Sequence, residues 1–218
     1  MKDRDIHAAI RILRREVPKW ETPIVTLMAE TYESPFRVLI SCILSLRTQD
    51  STTAKASHRL FAVADTPQAM VKLSGKKIEK LIYPVGFYKT KAKNILEICR
   101  TLTDEHGGKV PDEIDDLLKF KGVGRKTANL VVTLGYQKPG ICVDTHVHRI
   151  SNRWGYVNTK TPEKTEIALR AKLPKQYWIE YNDLLVSFGQ HLCRPISPVC
   201  SQCPVKKYCK QIGVTVKR

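Results

Sequence analysis

The stretch from Cys193 to Arg218 has the fewest ways to fold of any part of this chain. It is rich in Pro, Lys and Cys and poor in large apolar side chains. A segment of that composition cannot hold itself by burial alone and needs a staple of another kind. Cys193, Cys200, Cys203 and Cys209 offer one, in the pattern C-x6-C-x2-C-x5-C. The tight Cys200–Cys203 pair is a chelating unit. Four thiolates serve tetrahedral zinc and a [4Fe–4S] cluster alike, and spacing does not separate the two. Seven cysteines in a chain expected inside the cell argue for metal rather than disulfides. Cys42, Cys99 and Cys142 lie in apolar runs and read as small core hydrophobes.

Nearly everything before that segment carries helical punctuation. Ile6, Ile10, Leu13 and Val17 recur at helical spacing, with Pro18 as a stop. Ser34-Pro35, Thr66-Pro67 and Thr161-Pro162 each place a cap residue before a proline suited to the first helical position. The run from Phe36 to Leu46 is apolar nearly all round, as a central helix is. Further helices are expected from a cap at Asp50 to about Val63, over Lys91–Thr103 with an end near Gly107-Gly108, over Arg125–Leu134 ended by Gly135, and over Tyr177–Leu192. There is no useful β alternation and no low-complexity segment. The expected fold is all-α, a bundle of about ten helices.

Charge narrows the function. Lys and Arg number 37 against 21 Asp and Glu, a formal net charge of +16 over 218 residues. Such a balance points to a polyanion, nucleic acid first. An anionic membrane is the rival, but there is no lipidation motif and no basic amphipathic stretch rich in Trp or Phe. The N-terminus, Met-Lys-Asp-Arg-Asp, is too polar for a signal peptide, and no apolar run is long enough to span a bilayer. A cytoplasmic, chromosome-associated protein without membrane contact is expected.

One motif gives that charge a focus. In Phe120-Lys121-Gly122-Val123-Gly124-Arg125-Lys126-Thr127-Ala128, two glycines flank one apolar residue between two helical stretches. Glycine allows a tight turn and a close backbone approach. The helix that follows aims its first amides and positive dipole end at the turn, which suits a backbone phosphate. A bare corner needed only for packing is the plain alternative; Arg125 and Lys126 favour phosphate. The motif fits neither a Walker loop nor a dinucleotide fingerprint. Val85-Gly86-Phe87-Tyr88, followed by Lys89 and Lys91, is a weaker second copy or a simple turn. Lys126, at a helix N-terminus among other cations, is a candidate amine nucleophile or an ordinary phosphate-binding lysine. Asp144 reads locally as the N-cap of a helix to about Asn152, and beside an anion site it can also steady developing positive charge. His146 and His148 fall on different helix faces and read as surface or DNA-facing rather than as a metal pair. Arg194, Lys206, Lys207 and Lys210 surround the cysteines, so a metal-stiffened basic loop would suit phosphate.

Taken together, the Gly122–Asn129 run, Val143-Asp144-Thr145-His146, the eighteen-residue step from Lys126 to Asp144 and the cysteine pattern resemble the endonuclease III family. Similarity extends from about residue 20 to Cys209. The resemblance implies a [4Fe–4S] cluster on Cys193, Cys200, Cys203 and Cys209. It implies a bilobal helix-hairpin-helix fold, with a six-helix barrel over 28–137 and a cluster lobe over 1–27 and 138–218, and DNA in the cleft between them. The activity implied is excision of oxidised pyrimidines from duplex DNA and cleavage of the abasic site by β-elimination. The Lys126 amine would attack the sugar C1′ of a flipped nucleotide, and Asp144 would assist base departure. A flipped base leaves a gap whose unstacking costs a few kcal/mol. Phe87 takes the place of the family's apolar wedge, where leucine is often seen, and Arg47 the place of a frequent glutamine. An Arg donates to a guanine where a Gln would both donate and accept. Gly122, Val123, Gly124, Arg125, Thr127, Arg47, Gln49, Phe87, Lys91, His146, Arg194, Lys206 and Lys207 form the expected DNA-contacting set. The partner is double-stranded DNA with a damaged base or abasic site, bound by a monomer. A mismatch glycosylase of the same superfamily is the rival enzyme, but those relatives usually lack the lysine after the hairpin. A non-catalytic iron–sulfur DNA-binding protein is the rival of another class, and it leaves Lys126 and Asp144 without a purpose.

Overall fold

The computed structural model describes residues 1–20 and 34–218. In chain order the helices are α1 (Asp3–Glu16), α2 (Pro35–Ser45), α3 (Asp50–Phe61), α4 (Pro67–Met70), α5 (Gly75–Ile82), α6 (Tyr88–Glu105), α7 (Ile114–Leu117), α8 (Arg125–Leu130), α9 (Thr145–Arg153), α10 (Pro162–Lys172) and α11 (Trp178–His191). Short 3-10 turns occupy Val17–Lys19, Lys175–Tyr177 and Lys206–Tyr208, and α8 runs on into a π-helical turn, Val131–Gly135. No strand occurs among the described residues, so the fold is all-α. The chain divides into two compact units, Met1–Pro23 with Ile141–Arg218, and Ile24–Gly140. The expected boundary at 27/28 lies outside the described residues; the other, expected at 137/138, compares with a break at Gly140–Ile141.

In the Ile24–Gly140 unit, α2 is the centre. Phe36 and Val38 through Leu44 are all buried, so the helix is covered on every side. It packs against α3, α6, α8 and the π-helical turn. Each large aliphatic side chain so buried contributes about 1.5–3 kcal/mol. Ser34 starts the helix by accepting from the Arg37 amide at 3.4 Å, with Pro35 at the first position. The partner elements bring their own stripes: Ile78 and Ile82 from α5, and Ile95, Ile98, Cys99 and Leu102 from α6.

In the other unit, Ile6, Ile10 and Leu13 of α1 are buried along one stripe, as their spacing predicts. They join Ile150 of α9, Trp154 at its C-cap, and Tyr181, Leu185 and Phe188 of α11 in one core. Thr161 caps α10 through its hydroxyl, 3.3 Å from the Lys164 amide.

The structure revises three helix boundaries. Gln49, not Asp50, is the N-cap of α3; Asp50 stands at the first helical position, where its charge still favours the positive helix end. α6 begins at Tyr88 rather than Lys91, because Phe87 in a left-handed conformation (φ 57°) turns the chain into it. The expected Arg125–Leu134 helix widens at Val131. There the Thr133 hydroxyl donates to the Asn129 carbonyl at 2.8 Å and to that of Leu130 at 3.3 Å, and such back-bonding loosens the regular ladder.

Candidate active site

The glycine hairpin is built as its residues require. Gly122 has φ +86°, and a Cβ there would meet the Asn94 side chain at 2.6 Å, so glycine serves both the backbone and the space. Gly124 is the extended N-cap of α8, and a Cβ on it would point into open space. The hairpin therefore presents bare backbone beside the N-terminus of α8. Gly122, Gly124 and Arg125 are exposed. Val123 and Thr127 are not placed to offer side chains to DNA. Val123 is 6% exposed and its amide donates to the Phe120 carbonyl at 3.0 Å, while Thr127 is 2% exposed in the core. Thr127 corrects the expected contact set, for α8 turns its side chain inward, while Val123 stands in the hairpin turn before the helix.

Lys126, in the first turn of α8, is half-buried. It lies close enough to the Cys42 thiol of α2 to act on it electrostatically, although burial dominates and pushes that thiol up to about 12. Cys99 is likewise pushed up to about 12 by burial. Both cysteines are thus unreactive core residues.

Asp144 caps α9, as its position predicts. Its Oδ1 accepts from the amides of His146 at 2.8 Å and Val147 at 2.9 Å. Its Oδ2 lies 3.1 Å from His146 Nδ1. His146 is therefore folded back onto the carboxylate, and a Cβ on Gly189 of α11 would meet its ring at 2.6 Å. The ring buttresses Asp144, with 24% of the His146 side chain left exposed. His148 is also turned inward, bound to the Thr165 hydroxyl at 2.7 Å.

The four thiols of Cys193, Cys200, Cys203 and Cys209 line one cavity, walled by Arg153, Trp154, Phe188 and Leu192. Among the described residues no three His, Cys, Asp or Glu side chains are drawn close enough to hold a single metal ion. Four thiols around a shared cavity have the donor chemistry of a metal or iron–sulfur centre. Donors already point at the sulfurs: Arg153 Nη1 lies 3.6 Å from Cys193 Sγ and the Gln211 amide 3.3 Å from Cys209 Sγ. Such hydrogen bonds favour thiolate and tune a bound cluster. Arg194, Lys206 and Lys207 are exposed on the same loop.

Two arginines escaped sequence reasoning. Arg153 is 8% exposed and reaches the carbonyls of Arg194 at 2.6 Å and Pro195 at 2.5 Å. Arg149 donates to the Cys193 carbonyl at 2.9 Å. Together they tie α9, which Asp144 caps, to the cysteine loop. No local signal marks them, since both resemble ordinary basic residues of a basic helix.

Arg47 and Phe87 are exposed and paired. The Arg47 guanidinium lies 4.9 Å from the centre of the Phe87 ring, and both residues have positive φ, 53° and 57°. Gln49 is exposed nearby in sequence. Lys91 is a correction. Only 6% exposed, it cannot reach a DNA phosphate. Its ammonium points inward at the carbonyls of Leu44 (2.9 Å) and Leu46 (2.5 Å), and burial pulls its pKa from 10.5 to about 8.

Comparison with known proteins agrees with this geometry. The family described as HhH-GPD superfamily base excision DNA repair protein matches residues 40–175. Endonuclease III of Thermotoga maritima is 51% identical over 176 residues, covering 81% of this chain and 83% of that protein. The chloroplastic endonuclease III homolog 1 of Arabidopsis thaliana is 44% identical over 186 residues, covering 81% of this chain and 49% of that longer protein. A solved non-covalent endonuclease III–DNA complex matches with a TM-score of 0.85 at 32% identity, covering 97% of this chain and 96% of that one. The chain belongs to the HhH-GPD superfamily of base excision DNA repair proteins, with endonuclease III among its relatives.

Proposed function

We propose that this protein is a bifunctional DNA glycosylase and abasic-site lyase that removes oxidised pyrimidines from duplex DNA. It works as a monomer at the chromosome. No helix among the described residues is long and apolar enough to cross a membrane. The observation that carries the reading is Lys126, half-buried in the first turn of a helix that follows an exposed glycine hairpin, in a chain of charge +16 related to endonuclease III. The hairpin backbone and Arg125 hold a phosphate. The Lys126 amine attacks C1′ of the flipped nucleotide, the glycosidic bond breaks, and the base leaves with the bond's electron pair. The C1′–O4′ bond then breaks as O4′ takes a proton and the nitrogen gives one up, leaving an open-chain Schiff base; this acidifies the C2′ proton, whose loss expels the 3′ phosphate. Asp144, an anion 10% exposed, steadies the positive charge that develops on the sugar. Phe87 and Arg47 fill the gap in the stack. Cys193, Cys200, Cys203 and Cys209 hold a [4Fe–4S] cluster, which supplies a rigid basic loop for the DNA backbone.

Borohydride trapping on a duplex with one thymine glycol tests the nucleophile. The wild type is expected to form a covalent adduct and Lys126→Gln none. Trapping by Lys126→Gln would remove the assignment, and base release without trapping would favour a monofunctional glycosylase. Asp144→Asn separates capping from charge, because Asn also caps. Its melting temperature is expected to stay near wild type while single-turnover excision falls about 100-fold. An unchanged rate would leave Asp144 as a cap alone.

A further inference from the structure

Arg47 and Phe87 hold a conformation that single residues do not choose. A left-handed backbone is unfavourable for a non-glycine residue and persists only where its surroundings over-determine it. Here two such residues stand side by side, on turns that follow different helices. Something buried must hold both turns, and the atoms that do so are visible.

The Thr48 hydroxyl is the hub. It accepts from the Gly86 amide at 3.2 Å and from Lys91 Nζ at 3.2 Å, and it lies 3.3 Å from the Leu46 carbonyl, to which it donates. Lys91 Nζ reaches the Leu44 carbonyl at 2.9 Å and that of Leu46 at 2.5 Å. These are among the last carbonyls of α2 and the turn beyond, where a cation is favoured by the helix dipole and satisfies acceptors left over at the helix end. Three N–H groups thus meet three acceptors. Gly86 lets the turns close: a Cβ on it would meet the Arg47 carbonyl oxygen at 2.7 Å. The arrangement joins the turn before Phe87 to the turn that carries Arg47 at the Thr48 hydroxyl and at the lysine.

We propose that Lys91 is a positioning residue, whose buried ammonium locks the 46–48 turn to the 84–87 turn and so holds Arg47 and Phe87 as one rigid element for insertion into the DNA stack. The proposal rests on the glycosylase reading above. Lys91 touches neither the DNA nor the reacting atoms and acts through the two exposed side chains. A wedge must be stiff to unstack a base, and a misplacement of about 1 Å can cost 100-fold in rate.

Lys91→Met tests it by keeping the apolar stem and removing the ammonium. Hydrogen–deuterium exchange over 84–88 is expected to rise at the Gly86 amide, whose acceptor loses its anchor, while the core of α2 stays protected. Single-turnover excision of thymine glycol from a duplex is expected to fall about 10- to 100-fold. Lyase cleavage of an abasic site in a single strand, which needs no wedge, should stay within about twofold of wild type. Phe87→Ala is expected to lose a similar factor on the duplex, and adding Lys91→Met to it little more. Unchanged exchange at Gly86 overturns the latch, whatever the enzyme does. Equal losses on duplex and single strand, or fully multiplicative losses in the double variant, overturn the positioning role. A wild type inactive on both substrates would instead sink the glycosylase reading; unstacking of a 2-aminopurine beside the lesion, present in wild type and lost in Lys91→Met, would then still decide whether the latch aims the wedge.

Discussion

The Ile24–Gly140 unit and the unit formed by Met1–Pro23 with Ile141–Arg218 are held in different ways. The first is an apolar assembly around one helix, α2, with its side chains covered on all sides. The second has an apolar core of its own among α1, α9 and α11, but it ends in a loop whose four thiols line one cavity and whose carbonyls accept from the buried Arg153 guanidinium. The first unit therefore rests on area, and the terminal loop of the second on specific contacts. Area is lost gradually as side chains are trimmed, whereas a set of ligands fails when one member is removed.

The largest effect should come from Cys203→Ser. The visible absorbance of the cluster is expected to disappear, and limited proteolysis should cut freely within residues 193–218 while fragments of the other unit survive. A colourless wild type containing zinc would replace the cluster by a mononuclear site; a coloured, protease-resistant variant would remove Cys203 from the ligand set. Next comes Leu39→Ala, at the fully buried centre of α2. Denaturant unfolding should show a loss of about 2–5 kcal/mol with the absorbance retained. A much smaller loss would mean that α2 is not the keystone of its unit. The smallest effect is expected from a matched pair of caps, Thr66→Ala in α4 and Thr161→Ala in α10, whose hydroxyls accept at 3.2 Å and 3.3 Å. Each should cost about 1 kcal/mol, since a cap is a local device indifferent to its unit. A far larger loss for Thr161→Ala would show that the thiol-held unit depends on its helices more than the contrast above allows.

Much of this was legible in the sequence. The Ser/Thr–Pro starts appear as caps because the reason for them is local: one hydroxyl, one amide and a pre-set φ. The α1 stripe, the buried α2, the Gly122 turn and the capping role of Asp144 follow from periodicity or from the conformations a residue type permits. The four cysteines point to a metal centre because their segment has little apolar surface of its own to bury.

Lys91 and Thr127 were misjudged for a common reason. Each sits in a basic or polar context that suggests an outward, DNA-facing side chain, and each is buried instead. Thr127 lies in the core. Lys91 finds the carbonyls of Leu44 and Leu46. A lysine stem is long enough to place its charge in water or against a helix end, and its own neighbours do not say which. The sequence by itself determined most of the longer helices, the starts of those with a Ser/Thr–Pro cap, and which residue types could do the chemistry. Only the tertiary structure decided which charges face inward, because that depends on acceptors brought close by folding from tens of residues away.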